Sequence, residues 1–285
     1  MEFAKVGGVQ IALMALGTAI FLLVPVLITI IWLKQKKEKI TTVLIGAATF
    51  FVFVFILEKP IQNVLIFPVQ MGLPDHPLAQ FINSRPVLWA LLVGLFPGVF
   101  EETGRMIAFS TVLGKRKNRE TSISYGIGHA GIEVMMIMGV TYIQNIVYSV
   151  MINTGVFEAI IKLVESQTPE QTEAFYTLAS QLAAFSFGDL CMGVAERIFA
   201  VMFHVGASIL VFYACRDKDK ILLYPLAILL HALMDGIAGL QMAGVLNITP
   251  VMLEAVVCVF GTLTFFGAYL LLYRKEGSNG ICRHI

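Results

Sequence analysis

The sequence has 285 residues, of which 58% are hydrophobic and only 14% are charged, and its mean hydropathy is +0.82. This composition excludes an ordinary soluble domain. The net charge of +1 gives no reason to expect a nucleic-acid partner. The sequence therefore predicts a single membrane-embedded domain over residues 1–285, an all-α bundle of transmembrane helices in a lipid bilayer.

Seven apolar segments are each long enough to cross a hydrocarbon core of roughly 30 Å. The first is longer than the apolar core of a signal peptide and is predicted to be a retained span. In chain order the predicted spans are 9–33, 40–57, 86–113, 121–150, 189–214, 221–240 and 251–273.

Two of the connections between spans are long. Four prolines within 58–85 predict that this segment is irregular or re-entrant. In the second long connection, TPEQ places Thr168 as N-cap, Pro169 at N1 and Gln171 at N3. This pattern predicts a short helix that starts there and lies on the outer surface.

Basic residues are concentrated in alternate connections. Most of the 20 Lys and Arg residues lie in 34–39, 115–120, 216–220 and the tail from Arg274. By the positive-inside rule these segments face the cytoplasm. The predicted topology therefore has the N-terminus outside and the C-terminus inside.

Ionisable residues occur inside four of the predicted spans, although each costs about 2.5–3.5 kcal/mol at a helix centre. In chain order they are Glu101, Glu102 and Arg105 in the third span, His129 and Glu133 in the fourth, Glu196, Arg197 and His204 in the fifth, and His231 and Asp235 in the sixth. So many of these groups on four helices predict a shared site.

The depths of these residues support a shared site. With a rise of 1.5 Å per residue, most of them lie about 12–21 Å from the cytoplasmic ends of their helices. Glu196 and Arg197 lie about 27–28 Å from that end. The first set is therefore predicted to form one layer in the cytoplasmic half of the membrane, and the second a separate interfacial pair.

Spacing along the helices indicates the chemistry. His129 and Glu133 are four residues apart, as are His231 and Asp235, so each pair shares one helix face. Imidazole and carboxylate groups suit either a divalent metal such as zinc or metal-free acid–base catalysis on water. The candidate metal ligands are these four residues and His204.

Some of these residues have structural alternatives. His204 could be a helix–helix hydrogen bonder, and Glu133 could be an acceptor that orients His129. Arg105 follows Glu101 by four residues and Glu102 by three, so it can pair with either carboxylate.

Three short motifs resemble those of a known superfamily. EETGR, YGIGH and HALMD, on the third, fourth and sixth predicted spans, are similar to the motifs of the CPBP intramembrane peptidases. That superfamily includes the CAAX prenyl proteases and the bacteriocin-processing proteins. GHAGIE after EETGR resembles the YhfC-type membrane peptidases more closely. The resemblance extends from Phe96 to Gly239 and implies a catalytic core within 86–240.

The resemblance also implies an activity, the hydrolysis of a peptide bond in a membrane-associated protein or peptide of a bacterial plasma membrane. Glu101 or Glu102 would activate the water, with electrostatic support from Arg105. His129 and His231 would bind a metal or polarise the scissile carbonyl. Carboxylate and histidine chains also mark transport pathways. A proton- or metal-coupled transporter and a non-catalytic immunity or scaffold protein are therefore alternative predictions.

Overall fold

The computed structural model contains seven helices long and apolar enough to cross a membrane, and the chain is an integral membrane protein. It describes residues 4–165 and 169–276, of which 85% are helical and none lies in a β-strand. The predicted all-α transmembrane fold is therefore confirmed. The helices are α1 Gly8–Lys36, α2 Ile40–Ile66, α3 Pro77–Asn83, α4 Pro86–Ser110, α5 Glu120–Asn153, α6 Val156–Glu165, α7 Pro169–Ala184, α8 Phe187–Arg216, α9 Leu223–Met242 and α10 Pro250–Arg274.

Helix α2 continues past residue 57, where the sequence predicted the end of the second span. Phe51–Glu58 is π-helical and leads directly into Lys59–Ile66, with Pro60 in the first turn after it. Proline has no N–H to donate, so it is tolerated where the i→i−4 hydrogen-bond pattern is already shifted. The prediction of an irregular segment from residue 58 is therefore wrong for 58–66. A 3₁₀ turn at Pro68–Met71 and helix α3 follow.

The second long connection contains two helices. Helix α7 begins at Pro169, as predicted, while its predicted N-cap Thr168 lies outside the described residues. Helix α6 was not predicted. It is amphipathic, because Phe157 and Ile161 are buried whereas Val156 and Ile160 are exposed.

The seven spans differ in how much of their surface is covered. In the most apolar 18-residue segment of α8, 72% of the residues are buried. In the corresponding segments of the other six spans the buried share is 17–33%. All residues from 203 to 214 are buried. By contrast, Leu263 and Leu271 of α10 are 68% and 72% exposed. Such large apolar side chains on the outside of a helix bundle suit contact with lipid.

The chain forms two compact units. Met1–Leu27 and Glu133–Arg197 form the first, and Ile28–Ile132 and Ile198–Ile285 form the second. Within the first unit, the Asn153 side chain bonds both backbone groups of Val6, at 2.9 and 2.8 Å. Phe21 also packs edge-on against Tyr142, with 5.1 Å between the ring centroids.

Within the second unit, helices α4 and α9 cross at close range. A Cβ atom on Gly94 would lie 2.6 Å from the Cα of Gly236 and 2.7 Å from the carbonyl oxygen of Ala232. A Cβ atom on Gly98 would lie 2.8 Å from the carbonyl oxygen of Ile228. Small residues allow the two backbones to touch, as in other membrane helix pairs. The crossing fixes the rotation of α4 and α9, and with it the direction of their polar side chains.

Candidate active site

Helix α4 carries three neighbouring charged residues that are all buried, Glu101, Glu102 and Arg105. Arg105 Nη1 forms a short ion pair with Glu102 Oε1, and Arg105 Nη2 lies 3.8 Å from Glu101 Oε2. The spacings of three and four residues place the guanidinium over both carboxylates. Arg105 therefore balances negative charge that the membrane interior would otherwise make costly.

His204 of α8 joins this group through Arg105. Arg105 Nη2 donates a hydrogen bond to His204 Nδ1 over 2.7 Å. His204 Nδ1 also lies 3.8 Å from Glu101 Oε2. An arginine has donors only, so His204 must accept through Nδ1. In a neutral ring the proton is then on Nε2.

His129 of α5 contacts the carboxylate of Glu101. Its Nε2 donates to Glu101 Oε2 over 2.8 Å, which is the direction expected toward an ionised carboxylate. Its Nδ1 is buried and has no hydrogen-bond partner among the described residues. Phe50 packs edge-on against the ring, and Tyr125 lies parallel to it one turn earlier in α5.

His231 of α9 is bound to the other glutamate. Its Nδ1 lies 2.9 Å from Glu102 Oε1, and its Nε2 lies 3.5 Å from Asp235 Oδ2. If Nδ1–H donates to the Glu102 carboxylate and the ring is neutral, the lone pair of the ring is on Nε2. Metal-binding histidines usually have this arrangement, with a carboxylate that accepts from the other ring nitrogen. His204 lies next to this ring, with 5.3 Å between the centroids.

Three of these buried side chains have the composition of a metal site. Glu101, His204 and His231 each offer one ligand atom, and these atoms lie within 4.8 Å of one another. Ligand atoms on one zinc ion are roughly 3.4 Å apart, given bonds of about 2.1 Å and tetrahedral angles. Two imidazoles and one carboxylate are also the protein ligands of several catalytic zinc sites. The residues therefore fit a divalent metal in type and number, after a small contraction.

One contact would have to change on metal binding. A neutral imidazole has a single lone pair, and that of His204 accepts from Arg105. If the metal took Nδ1, the guanidinium would have to leave it. If the metal took Nε2, the proton would move to Nδ1, which could then no longer accept. In either case His204 would therefore give up its hydrogen bond from Arg105 to hold the metal.

The other predicted site residues have different neighbours. Glu133 Oε1 accepts from Arg197 Nη1 over 3.1 Å, and Arg197 also pairs with Glu196. The expected Glu196–Arg197 pair is therefore present, and Glu133 is its unpredicted third member. The side chain of Asp235 is 33% exposed beside His231.

Sequence reasoning missed one ionisable residue near this group. Glu58 is the last residue of the π-helical part of α2 and is fully buried. The π-helical segment packs against α4, the helix of Glu101 and Glu102. The available signal was an acidic residue directly after an apolar run, but the nearby Pro60 suggested that the helix had already ended.

The chain is similar to known membrane proteins over most of its length. A model of the family described as "YhfC intramembrane metalloprotease" matches residues 20–271. The chain is 29% identical to the "Uncharacterized membrane protein YhfC" of Bacillus subtilis (strain 168) over 258 residues, which cover 90% of this chain and 94% of that protein. No solved structure matches the chain.

Proposed function

Because the chain belongs to the YhfC intramembrane metalloprotease family, we propose that it hydrolyses a peptide bond of a membrane-associated protein or peptide, with Glu102 as the base that activates water. We choose Glu102 as the base because its two carboxylate oxygens have different surroundings. Glu102 Oε1 is held by Arg105 and His231, whereas Oε2 is buried and has no hydrogen-bond partner among the described residues. A carboxylate with one fixed oxygen and one free oxygen is suited to take a proton from water.

The neighbouring residues would have distinct tasks. Glu101, His204 and His231 would hold a divalent metal, and zinc matches their donor types best. Such an ion, when bound, supplies a Lewis acid and makes water more acidic. His129 would keep Glu101 in place through its Nε2 proton. We assign the catalytic core to residues 86–240, which include all of these groups.

The proton would pass through Glu102. Its free oxygen takes the proton as water attacks the scissile carbonyl, and the same carboxyl then delivers it to the leaving amine. Arg105 stabilises the anionic form of Glu102 before and after that cycle. Burial of all these side chains restricts access of other water to the site.

We also propose an orientation in a bacterial plasma membrane. The basic segments 34–39, 115–120 and 216–220 connect or flank successive spans on one side, which the positive-inside rule assigns to the cytoplasm. The site residues lie about 8–18 Å from the helix ends on that side. In this proposed orientation the active site would lie in the cytoplasmic half of the membrane.

Cysteine labelling would test this orientation. A membrane-impermeant thiol reagent added to intact cells is expected to label a cysteine at His76 and to leave cysteines at Lys36 and Arg116 unlabelled. Permeabilised cells should label all three. Labelling of positions 76 and 116 from the same side would contradict the orientation.

Metal content would test the ligand set without an activity assay. Wild type incubated with zinc and then washed is expected to retain about one ion per chain, measured by inductively coupled plasma mass spectrometry. His204→Ala and His231→Ala should lower the affinity by more than the roughly 10–100-fold cost of losing an outer partner. His76→Ala removes a half-buried histidine outside this ligand set and is the matched control. Equal retention by His204→Ala and His76→Ala would rule out this ligand set.

A further inference from the structure

Glu58 is a buried carboxylate that the proposed hydrolysis does not use. It is fully buried within a membrane span, and neither of its oxygens has a hydrogen-bond partner among the described residues. A charge in that position is expensive, so its presence calls for a specific role. It also ends a π-helical segment, and such segments occur frequently at functional sites.

The group that compensates Glu58 comes from its own neighbour in the chain. Lys59 Nζ lies 3.2 Å from Glu58 Oε1, while the Lys59 side chain is 47% exposed. Its Nζ also donates weakly to Gln62 Oε1, over 3.4 Å. Lys59 lies seven residues before the end of α2 at Ile66, so its long side chain can extend to the membrane surface, where water would solvate the released ammonium. The carboxylate is thus covered by a cation that can be replaced.

The position of Glu58 relates it to the candidate active site. The π-helical segment that ends at Glu58 packs against α4, which carries Glu101 and Glu102. Helix α4 in turn packs against α9, on which His231 and Asp235 lie one helix turn apart. The Asp235 side chain is 33% exposed, so this side of the site is open at its edge. A positive group that entered there would meet the carboxylate of Asp235, and Glu58 supplies a second carboxylate on a segment packed against the same helix α4.

We infer that Glu58 is a binding subsite for an alkylammonium group of the substrate, with the Lys59 ammonium occupying it when no substrate is bound. The ligand class follows from the chemistry already present, since a primary ammonium is the group that Glu58 holds in the free protein. The subsite would bind part of the substrate of the proposed peptidase, so this proposal rests on the proposed function. The subsite itself can be tested without cleavage.

The first experiment measures the local charge. In a background with Cys191, Cys215, Cys258 and Cys282 changed to alanine, Lys59→Cys removes the resident ammonium and places a thiol beside Glu58. The reaction rate of this thiol is measured with cationic 2-aminoethyl methanethiosulfonate and with neutral methyl methanethiosulfonate. The ratio of the first rate to the second reports the local charge. Adding Glu58→Gln is expected to lower this ratio about tenfold, because a nearby carboxylate attracts the cationic reagent.

A matched thiol controls for general effects of the substitution. Val64 is exposed on the same helix, and the ratio for Val64→Cys should not change when Glu58→Gln is added. An unchanged ratio at position 59, or a thiol at 59 that reacts with neither reagent, would overturn the subsite and leave Glu58 and Lys59 as a structural pair.

The second experiment links the subsite to cleavage. Single-span peptides that carry either lysine or glutamine at each position in turn are incorporated into liposomes with the protein. Wild type is expected to cleave the lysine peptide with about tenfold higher kcat/KM at one position relative to the scissile bond. Glu58→Gln should bring the two members of that pair to equal kcat/KM. A preference that survives Glu58→Gln would refute the assignment, whereas no cleavage of any peptide would count against the proposed peptidase and leave the thiol result to decide the subsite.

Discussion

Glu102→Gln is expected to lower the rate of peptide cleavage by about 10²–10⁴-fold, the usual contribution of a general base. The substitution keeps the shape of the side chain and an oxygen that can still accept from Arg105 and His231. It removes the ability of Oε2 to take a proton. The variant should therefore fold and retain metal but lose activity, as measured by product formation from a membrane-embedded peptide.

Glu101→Gln is the matched control, because it changes the neighbouring carboxylate in the same way. Glu101 is assigned to the metal together with His204 and His231. Its variant should therefore lose metal as well as activity. If Glu101→Gln retained the metal but was inactive, and Glu102→Gln lost the metal, the two glutamates would have the opposite roles.

Arg105→Ala is expected to destabilise the protein by about 3–5 kcal/mol, the range found when one partner of a buried ion pair is removed. Arg105 is fully buried and contacts Glu101, Glu102 and His204. Its loss would leave two carboxylates without their counter-charge inside the membrane. The expected result is a low yield of folded protein and a lower midpoint of thermal unfolding in detergent.

The exposed Arg85 provides the comparison for this prediction. Its guanidinium bonds the Phe81 carbonyl and the Ser84 hydroxyl at the surface of the second unit. Arg85→Ala should therefore lower stability by less than about 1 kcal/mol. If Arg105→Ala gave the same yield and the same unfolding midpoint as Arg85→Ala, Arg105 would not be the counter-charge of the site.

Hydropathy predicted the seven spans, because a membrane requires about 20 apolar residues per helix. It failed where helix continuation depended on a local hydrogen-bond pattern. Pro60 usually indicates a helix end, yet the π-helical turn before it lets α2 run to Ile66. Helix α6 was missed because its ten residues are too few to form a span.

The sequence also predicted which residues share a layer, since depth follows from the rise per residue. It could not predict which partners meet within that layer, because partner choice depends on helix rotation. That rotation follows from close contacts such as Gly94 against Gly236. The pairing of His129 with Glu101 and of His231 with Glu102 therefore emerged only from the structure.

Two outcomes illustrate the same limit. Glu133 was expected to share a helix face with His129, and the structure adds Arg197, which the sequence did not indicate, as a partner of its carboxylate. His204 was the histidine with the least support in the sequence because no acidic residue follows it by one turn. Its Nδ1 nevertheless lies 2.7 Å from Arg105 and 3.8 Å from Glu101, since α8 packs at the core of the second unit.

The most direct test of the account compares new peptide termini in membranes of cells that produce wild type or Glu102→Gln at equal levels. Quantitative mass spectrometry of N-termini would identify them. If the protein is a peptidase with Glu102 as its base, at least one terminus within or next to a membrane span will be present with wild type and absent with Glu102→Gln. Identical termini in both samples, together with an ion or solute flux that depends on Glu102 and His231, would contradict the peptidase and favour a transporter.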